Sequence, residues 1–170
     1  MALIMTATPL SMQAHHHSFS ASAFVIQWHV IAMFMPSFFT GNLIQRFGGK
    51  NIMLVGIGLN LLCILINTQG QFFLSYWSAL ILLGVGWNFM FIGGTTLVVE
   101  SYRPEERAKV QAFNDFTVFT FVAIASFSSG AIQHLWGWDW INTAMLIPML
   151  IVLTATVWLR LHNRRAAAAG

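Results

Sequence analysis

Charge is what this sequence has least of. Only 8% of its 170 residues are Asp, Glu, Lys or Arg, whereas 57% are hydrophobic and the mean hydropathy is +0.70. A soluble domain carries roughly 25% charged residues. Folded in water, a chain of this length has too little polar surface to cover so much apolar side chain, which excludes a soluble globular protein. Lipid removes the conflict, because the outer surface is then allowed to be apolar. Cysteine is nearly absent as well. Cys63 stands alone in an apolar run and offers neither a disulfide framework nor a metal pair, so it reads as a small packed side chain. Met1 leads straight into apolar sequence without a basic n-region, so no cleavable signal peptide is evident. Catalytic groupings are missing too. No Ser-His-Asp arrangement, glycine-rich phosphate loop or suitably placed carboxylate pair points to an enzyme, and nothing calls for a cofactor or a metal.

What is there is a series of long apolar runs. A spanning helix needs about 20 mostly apolar residues. The hydropathy pattern predicts an all-α polytopic bundle with full spans at about 22–45, 51–68, 73–100, 105–133 and 139–160, preceded by a shorter segment at 1–14. These runs are too long, and alternate too little, for the strands of a barrel. Pro36 is expected to kink the first full span. Pro104 with Glu105 and Glu106 marks a helix start, where proline and acids are favoured. The short segment is expected to be the end of a helix whose beginning lies before Met1, so the chain reads as a fragment.

The chain carries eight Lys and Arg residues, and the short connections place all of them on one side. Arg46 and Lys50 follow the first full span, Arg103, Arg107 and Lys109 lie before the fourth, and Arg160, Arg164 and Arg165 close the fifth. This is the positive-inside pattern, which makes that side, and the C-terminus, cytoplasmic and suggests an inner membrane. The opposite side holds His15-His16-His17, Gln69–Gln71 and a tryptophan-rich stretch from Trp136 to Trp140. The formal charge of +3 and pI near 9.6 are accounted for by orientation, so no nucleic-acid partner is expected. Three adjacent histidines make a poor metal site without a fold to converge them, and a flexible outer loop is expected there.

Each span also carries a sparse polar stripe at helical spacing. Gln27 aligns with Ile31, Phe34, Phe38 and Gly41; Asn60 with Gly56, Cys63 and Asn67; Asn88 with Gly84, Phe91 and Thr95; Asp115 with Phe119, Val122, Ser126 and Ser129. Polar groups are costly in lipid, so these faces should turn toward protein or water. Gln27, Asn60, Asn88 and Thr95 are candidates for a substrate path, with Trp87, Phe89 and Phe91 available for stacking. The competing reading is interhelical hydrogen bonding and small-residue packing. His29 is either a proton relay or a neutral, hydrogen-bonded imidazole. Asp115 lies roughly 9 Å along its helix from Lys109 and is the acid placed most clearly inside a span. It reads as a hydrogen-bonded anchor, a proton-coupling acid or a contact to a cationic solute. Glu100 ends the third full span level with Arg46 and Lys50, where an ion pair would act as a gate.

The loop Gly41-Asn42-Leu43-Ile44-Gln45-Arg46-Phe47-Gly48-Gly49-Lys50 resembles the G-x-L-a-D-R-x-G-R-[RK] signature of the major facilitator superfamily. Gly41, Leu43, Arg46, Gly48 and Lys50 match it; Gln45 replaces the Asp and Gly49 the first basic residue. These departures resemble the weaker copy of the signature that joins the eighth and ninth helices of that family. Met5–Leu10 is similar to its seventh helix, and Glu100–Arg107 to its tenth-to-eleventh loop. In the loop, Gly41 is expected to permit close helix approach and Gly48-Gly49 a tight turn. The resemblance implies that residues 1–165 are the C-terminal six-helix half of a secondary transporter, with a short tail at 166–170. It further implies alternating access against an N-terminal six-helix half, around a small-molecule substrate near the bilayer midplane. Proton coupling is the expectation if transport is coupled. The alternative is a non-transporting membrane subunit or receptor that reuses the same helical fold.

Overall fold

The computed structural model describes residues 1–169, with side chains described through His162. Every regular element among these residues is helical: α1 (Ala2–Ala14), α2 (Phe19–Phe34), α3 (Ser37–Phe47), α4 (Gly49–Gln69), α5 (Phe73–Val99), a 3-10 turn (Pro104–Glu106), α6 (Arg107–Ala144) and α7 (Leu146–Ala169). The chain is therefore an all-α bundle. The bend expected at Pro36 is present: the run at 22–45 divides there into α2 and α3, bent by 42° at Met35-Pro36. Proline has no N–H to donate and its ring clashes with the preceding turn, so the ladder breaks there. The connection expected between 133 and 139 falls at Gly137, whose φ of 78° and ψ of −179° lie outside the helical region and break the run there. A β-carbon makes that conformation costly, which is why glycine occupies it.

By length and composition, α4, α5 and the Pro104–His162 run are apolar enough to cross a membrane, and the bent α2–α3 pair adds a fourth. The last run has 59 residues, about 89 Å as straight helix and roughly three times the hydrocarbon thickness. The break at Gly137 divides it. α1, at 13 residues, reaches only about 20 Å.

Contacts set the helix directions. Gly49 packs on Gly93, and Gly56 on Gly86, so α4 and α5 are antiparallel. Asn67 meets Asn142 while Asn60 and Met149 share a cavity, so the chain after Gly137 runs back along α4. His29 meets Leu80 and Met33 meets Asn88, so α2 and α5 are parallel. These directions gather the turn at Gly48, the segment 101–106 and the end of α7 at one end of the bundle. Arg46, Lys50, Arg103, Arg107, Lys109 and Arg160 all lie at that end, whereas the side chains of Arg164 and Arg165 fall outside the described residues. The turns after α1, at Gly70 and at Gly137 lie at the other end.

Van der Waals contact between backbones holds the central pair. A β-carbon on Gly56 would lie 2.7 Å from the Gly86 carbonyl oxygen, and one on Gly86 would lie 2.8 Å from that of Gly56. Between helices in lipid there is no hydrophobic drive, so close packing of this kind carries the association. The core is completed by Ile4, Met12, Val25, Tyr76, Leu80, Leu83 and Ile141.

Candidate functional site

The polar stripes separate into two kinds once folded. The α4 stripe is covered throughout: Gly56, Asn60, Cys63 and Asn67 are all buried. Asn67 donates from Nδ2 to Asn142 Oδ1 at 2.8 Å, Asn142 donates to the Trp138 carbonyl, and the Trp138 indole N–H returns to the Asn67 carbonyl at 3.2 Å. The ring thus ties α4 to the turn after Gly137. Tyr76 packs at a tilt against Trp138 and bonds Ser11 at 2.7 Å, extending the lock to α1. The adjacent histidines are held in place too. His15 Nδ1 bonds the Ser11 carbonyl, and His17 Nε2 bonds that of Gln71. The flexible loop expected at 15–17 is therefore corrected: it is a structured turn, with His16 at a φ of 61°. Among the described residues no group of His, Cys, Asp and Glu side chains converges as a metal site.

Asn88 is a structural clamp by its bonding. Its Nδ2 donates to the Met33 carbonyl at 2.7 Å and to Ser37 Oγ at 2.6 Å, and its Oδ1 accepts from Thr40 at 2.7 Å. These partners flank the break at Pro36, so one side chain from α5 bonds the Met33 carbonyl and the Ser37 and Thr40 hydroxyls on both sides of it. One turn away, His29 Nδ1 donates to the Leu80 carbonyl at 2.7 Å. A carbonyl only accepts, so the proton sits on Nδ1. Nε2 is buried without a partner.

Asn60 is only 5% exposed but poorly satisfied: its Nδ2 contacts the Met90 thioether at 3.0 Å and its Oδ1 has no partner. A thioether is a weak acceptor. Asn60 lines a cavity of about 70 Å³ together with Trp87, Met90, Met145 and Met149. Trp87 stacks in parallel on Phe91, with centroids 4.8 Å apart and planes 14° apart, and meets Phe34 edge-on. Phe91 and Thr95 line an open depression of about 260 Å³ on the other side of the stacked pair. Gln27 lies apart from all of these, in a surface depression with Pro9 and Phe19. The four path candidates therefore do not share one cavity. Asn60 and Thr95 flank the Trp87–Phe91 stack, Asn88 is committed to the α2–α3 break, and Gln27 is separate. The stack was legible only as aromatics on one helix; its flat geometry depends on rotamers.

The α2–α3 stripe stays uncovered and the α6 stripe is covered only at its far end, where Ser129 is buried and donates to the Leu3 carbonyl at 3.0 Å. Gln27, Ile31, Phe34, Phe38 and Gly41 are all exposed, as are Asp115, Phe119 and Val122 on α6. Asn114 donates to Asp115 Oδ1 at 3.3 Å. Glu100 and Arg46 are exposed at the basic end and form no ion pair with each other; Arg46 lies over the Phe47 ring at 5.3 Å. In the signature loop, Gly48 makes the turn with φ of 84°, whereas Gly49 is already helical. Leu43 and Lys50 are half-buried. Within this chain a β-carbon on Gly41 would meet nothing within 4 Å.

Apolar antiparallel helices with one basic end define an integral membrane protein of the polytopic helical class. The chain belongs to the Major Facilitator Superfamily, whose family model matches residues 1–169. It is 45% identical over 168 residues to the riboflavin transporter RfnT of Brucella anthropi, covering 99% of this chain and 42% of that protein. It is also 35% identical to YdeG and 32% identical to YddS of Bacillus subtilis, both named as uncharacterized MFS-type transporters, with 94% and 93% of this chain and 38% and 37% of theirs covered. The chain thus spans about two fifths of the length of the curated relatives it matches. No solved structure matches it.

Proposed function

We propose that the chain is the C-terminal half of a secondary transporter of the inner membrane. It rocks against an N-terminal six-helix half to carry a small planar heteroaromatic solute of the flavin type. It is not an enzyme. The observation that carries this reading is the 45% identity, spread over 99% of the chain, to a protein named as a riboflavin transporter. The uncovered α2–α3 and α6 faces support it. Gln27 and Asp115 on those faces would be costly to leave against lipid, which suits a partner half enclosing a polar path. In this reading the basic end is cytoplasmic, following the positive-inside pattern. Glu100 closes that end by pairing with Arg46 or Lys50 when the path faces outward. Asp115, uncovered on α6, is the residue placed to couple proton movement to transport.

Uptake of riboflavin by the intact transporter in proteoliposomes tests the solute, and imposed pH gradients test the coupling. Saturable uptake is expected, and none from this chain reconstituted alone. Clear saturable flux through the isolated chain would overturn the half-transporter reading.

A further inference from the structure

We propose that the outward strip at the basic end of α7, where Trp158 and His162 lie one turn apart, seats the headgroup of an anionic phospholipid. The proposal holds whatever solute is carried.

Packing defines the strip. Met149 and Thr156 are buried on the side of α7 that faces the bundle. Ile147, Leu150, Ile151 and Trp158 are each more than half exposed, and neither the α2–α3 nor the α6 face given to the partner half includes them. From Ile147 to Trp158 the strip covers about 16 Å of helix, close to half of the roughly 30 Å hydrocarbon thickness. An acyl chain of one leaflet therefore lies along it, with the headgroup level with Trp158, where tryptophan is favoured.

Ring geometry supplies a donor at that level. The Trp158 indole lies flat against the His162 imidazole, with centroids 5.4 Å apart and planes 17° from parallel. The stack fixes the imidazole beside the headgroups, and its N–H is a donor to a phosphate oxygen. Arg165 continues the same strip by helical spacing, and Arg160 and Arg164 occupy the neighbouring one. Guanidinium groups bind phosphate through paired N–H donors.

Charge singles out this corner of the basic end. The connection into α6 carries Arg103, Arg107 and Lys109 but also Glu100, Glu105 and Glu106, so its charges offset one another. α7 has no acid from Leu146 to Ala169. Of the seven tryptophans, Trp158 is the one at the basic end. A basic cluster beside a spanning helix attracts anionic headgroups over a short range, and here no acid on the same helix cancels it.

The test titrates the intact transporter in detergent with phosphatidylglycerol or phosphatidylcholine and reads retained lipid by native mass spectrometry. The unmutated protein should retain phosphatidylglycerol in clear preference to phosphatidylcholine. The double variant His162→Gln, Arg165→Gln should weaken phosphatidylglycerol about five- to tenfold, near fivefold of it for the guanidinium charge, and leave phosphatidylcholine unchanged. Arg103→Gln with Lys109→Gln, which removes more charge from the same end, should change it by less than about twofold, since those groups lie beyond the short reach of the attraction. All four positions are at the surface end of the bundle, and an unchanged unfolding temperature confirms that each variant is folded. If the unmutated protein retains both lipids alike, or the α7 variant retains phosphatidylglycerol as before, the seat is overturned. Equal losses in the two double variants overturn it as well, because the attraction is then the general charge of that end. None of these outcomes depends on riboflavin, so failure of the flavin reading leaves the test intact.

Discussion

Asn88 and Asp115 are both polar side chains set in apolar helices, and the fold treats them in opposite ways. Asn88 is 1% exposed and bonded at each end of its amide, across the α2–α5 seam. Asp115 is exposed on a phenylalanine-rich face, with only its sequence neighbour Asn114 as partner. The same division runs through the molecule. Asn60, Asn67 and Asn88 are buried in the bundle, whereas Gln27 and Asp115 are exposed. Sparse polarity in an apolar helix thus has two meanings. Where the helix is surrounded by its own chain, the polar group ties helices together; where a face is left uncovered, the polar group has no partner on another helix.

The hardest way to break that division is to separate the covered helices. Gly56→Leu places a side chain where the Gly86 carbonyl oxygen stands 2.7 Å from a β-carbon. No relaxation of a flexible side chain relieves that overlap, because the obstacle is backbone. We expect no monodisperse protein on fluorescence-detected size-exclusion chromatography; a normal elution peak would refute the close α4–α5 approach.

Asn88→Leu comes next. It strips the Met33 carbonyl and Ser37 hydroxyl of their α5 partner, at about 1–3 kcal/mol for each buried group left unpaired. Thermal unfolding in detergent should show a clear loss of stability. Asn67→Leu opens the ring with Asn142 and should cost about 1 kcal/mol, in keeping with interhelical bonds measured in membranes. A larger loss for Asn67→Leu than for Asn88→Leu would reverse the ranking of the two seams.

Asp115→Asn should leave stability within about 0.5 kcal/mol, as for other surface substitutions. If Asp115 couples protons, the variant keeps solute exchange but loses accumulation driven by a pH gradient. Unchanged accumulation and pH profile would remove Asp115 from that role. A loss of stability comparable to that of Asn88→Leu would instead make it an anchor.

The smallest expected effect is a labelling contrast with no energetic cost. In a Cys63→Ala background, a cysteine at position 46 should react only from the cytoplasmic side. One at position 136, where Trp136 is 61% exposed, should react from outside. Outside labelling at 46 would invert the bundle.

Much of this was legible along the chain. Continuous apolar runs mark helices because lipid requires every backbone group to be satisfied within its own segment, a local condition. The Lys and Arg positions sort the loops by a rule that needs only their order. Pro36 marked its break because proline lacks a donor wherever it stands. The break between 133 and 139 was bracketed as well, but not that Gly137 makes it, since a glycine announces no particular φ.

What the tertiary structure alone decided is which partner each polar side chain meets. Nothing near Asn60, Asn67 or Asn88 in sequence distinguishes them: each is an asparagine at helical spacing from small residues. Their roles diverge because Asn67 meets Asn142, 75 residues away, and Asn88 meets Met33, 55 residues away. Asn60 donates only to the sulfur of Met90 and lays its amide oxygen against Gly86. Hydropathy is summed along the chain, and the sequence therefore determined the spans and their polarity. Hydrogen-bond satisfaction is a property of packed neighbours, and it exists only once the helices have been laid side by side.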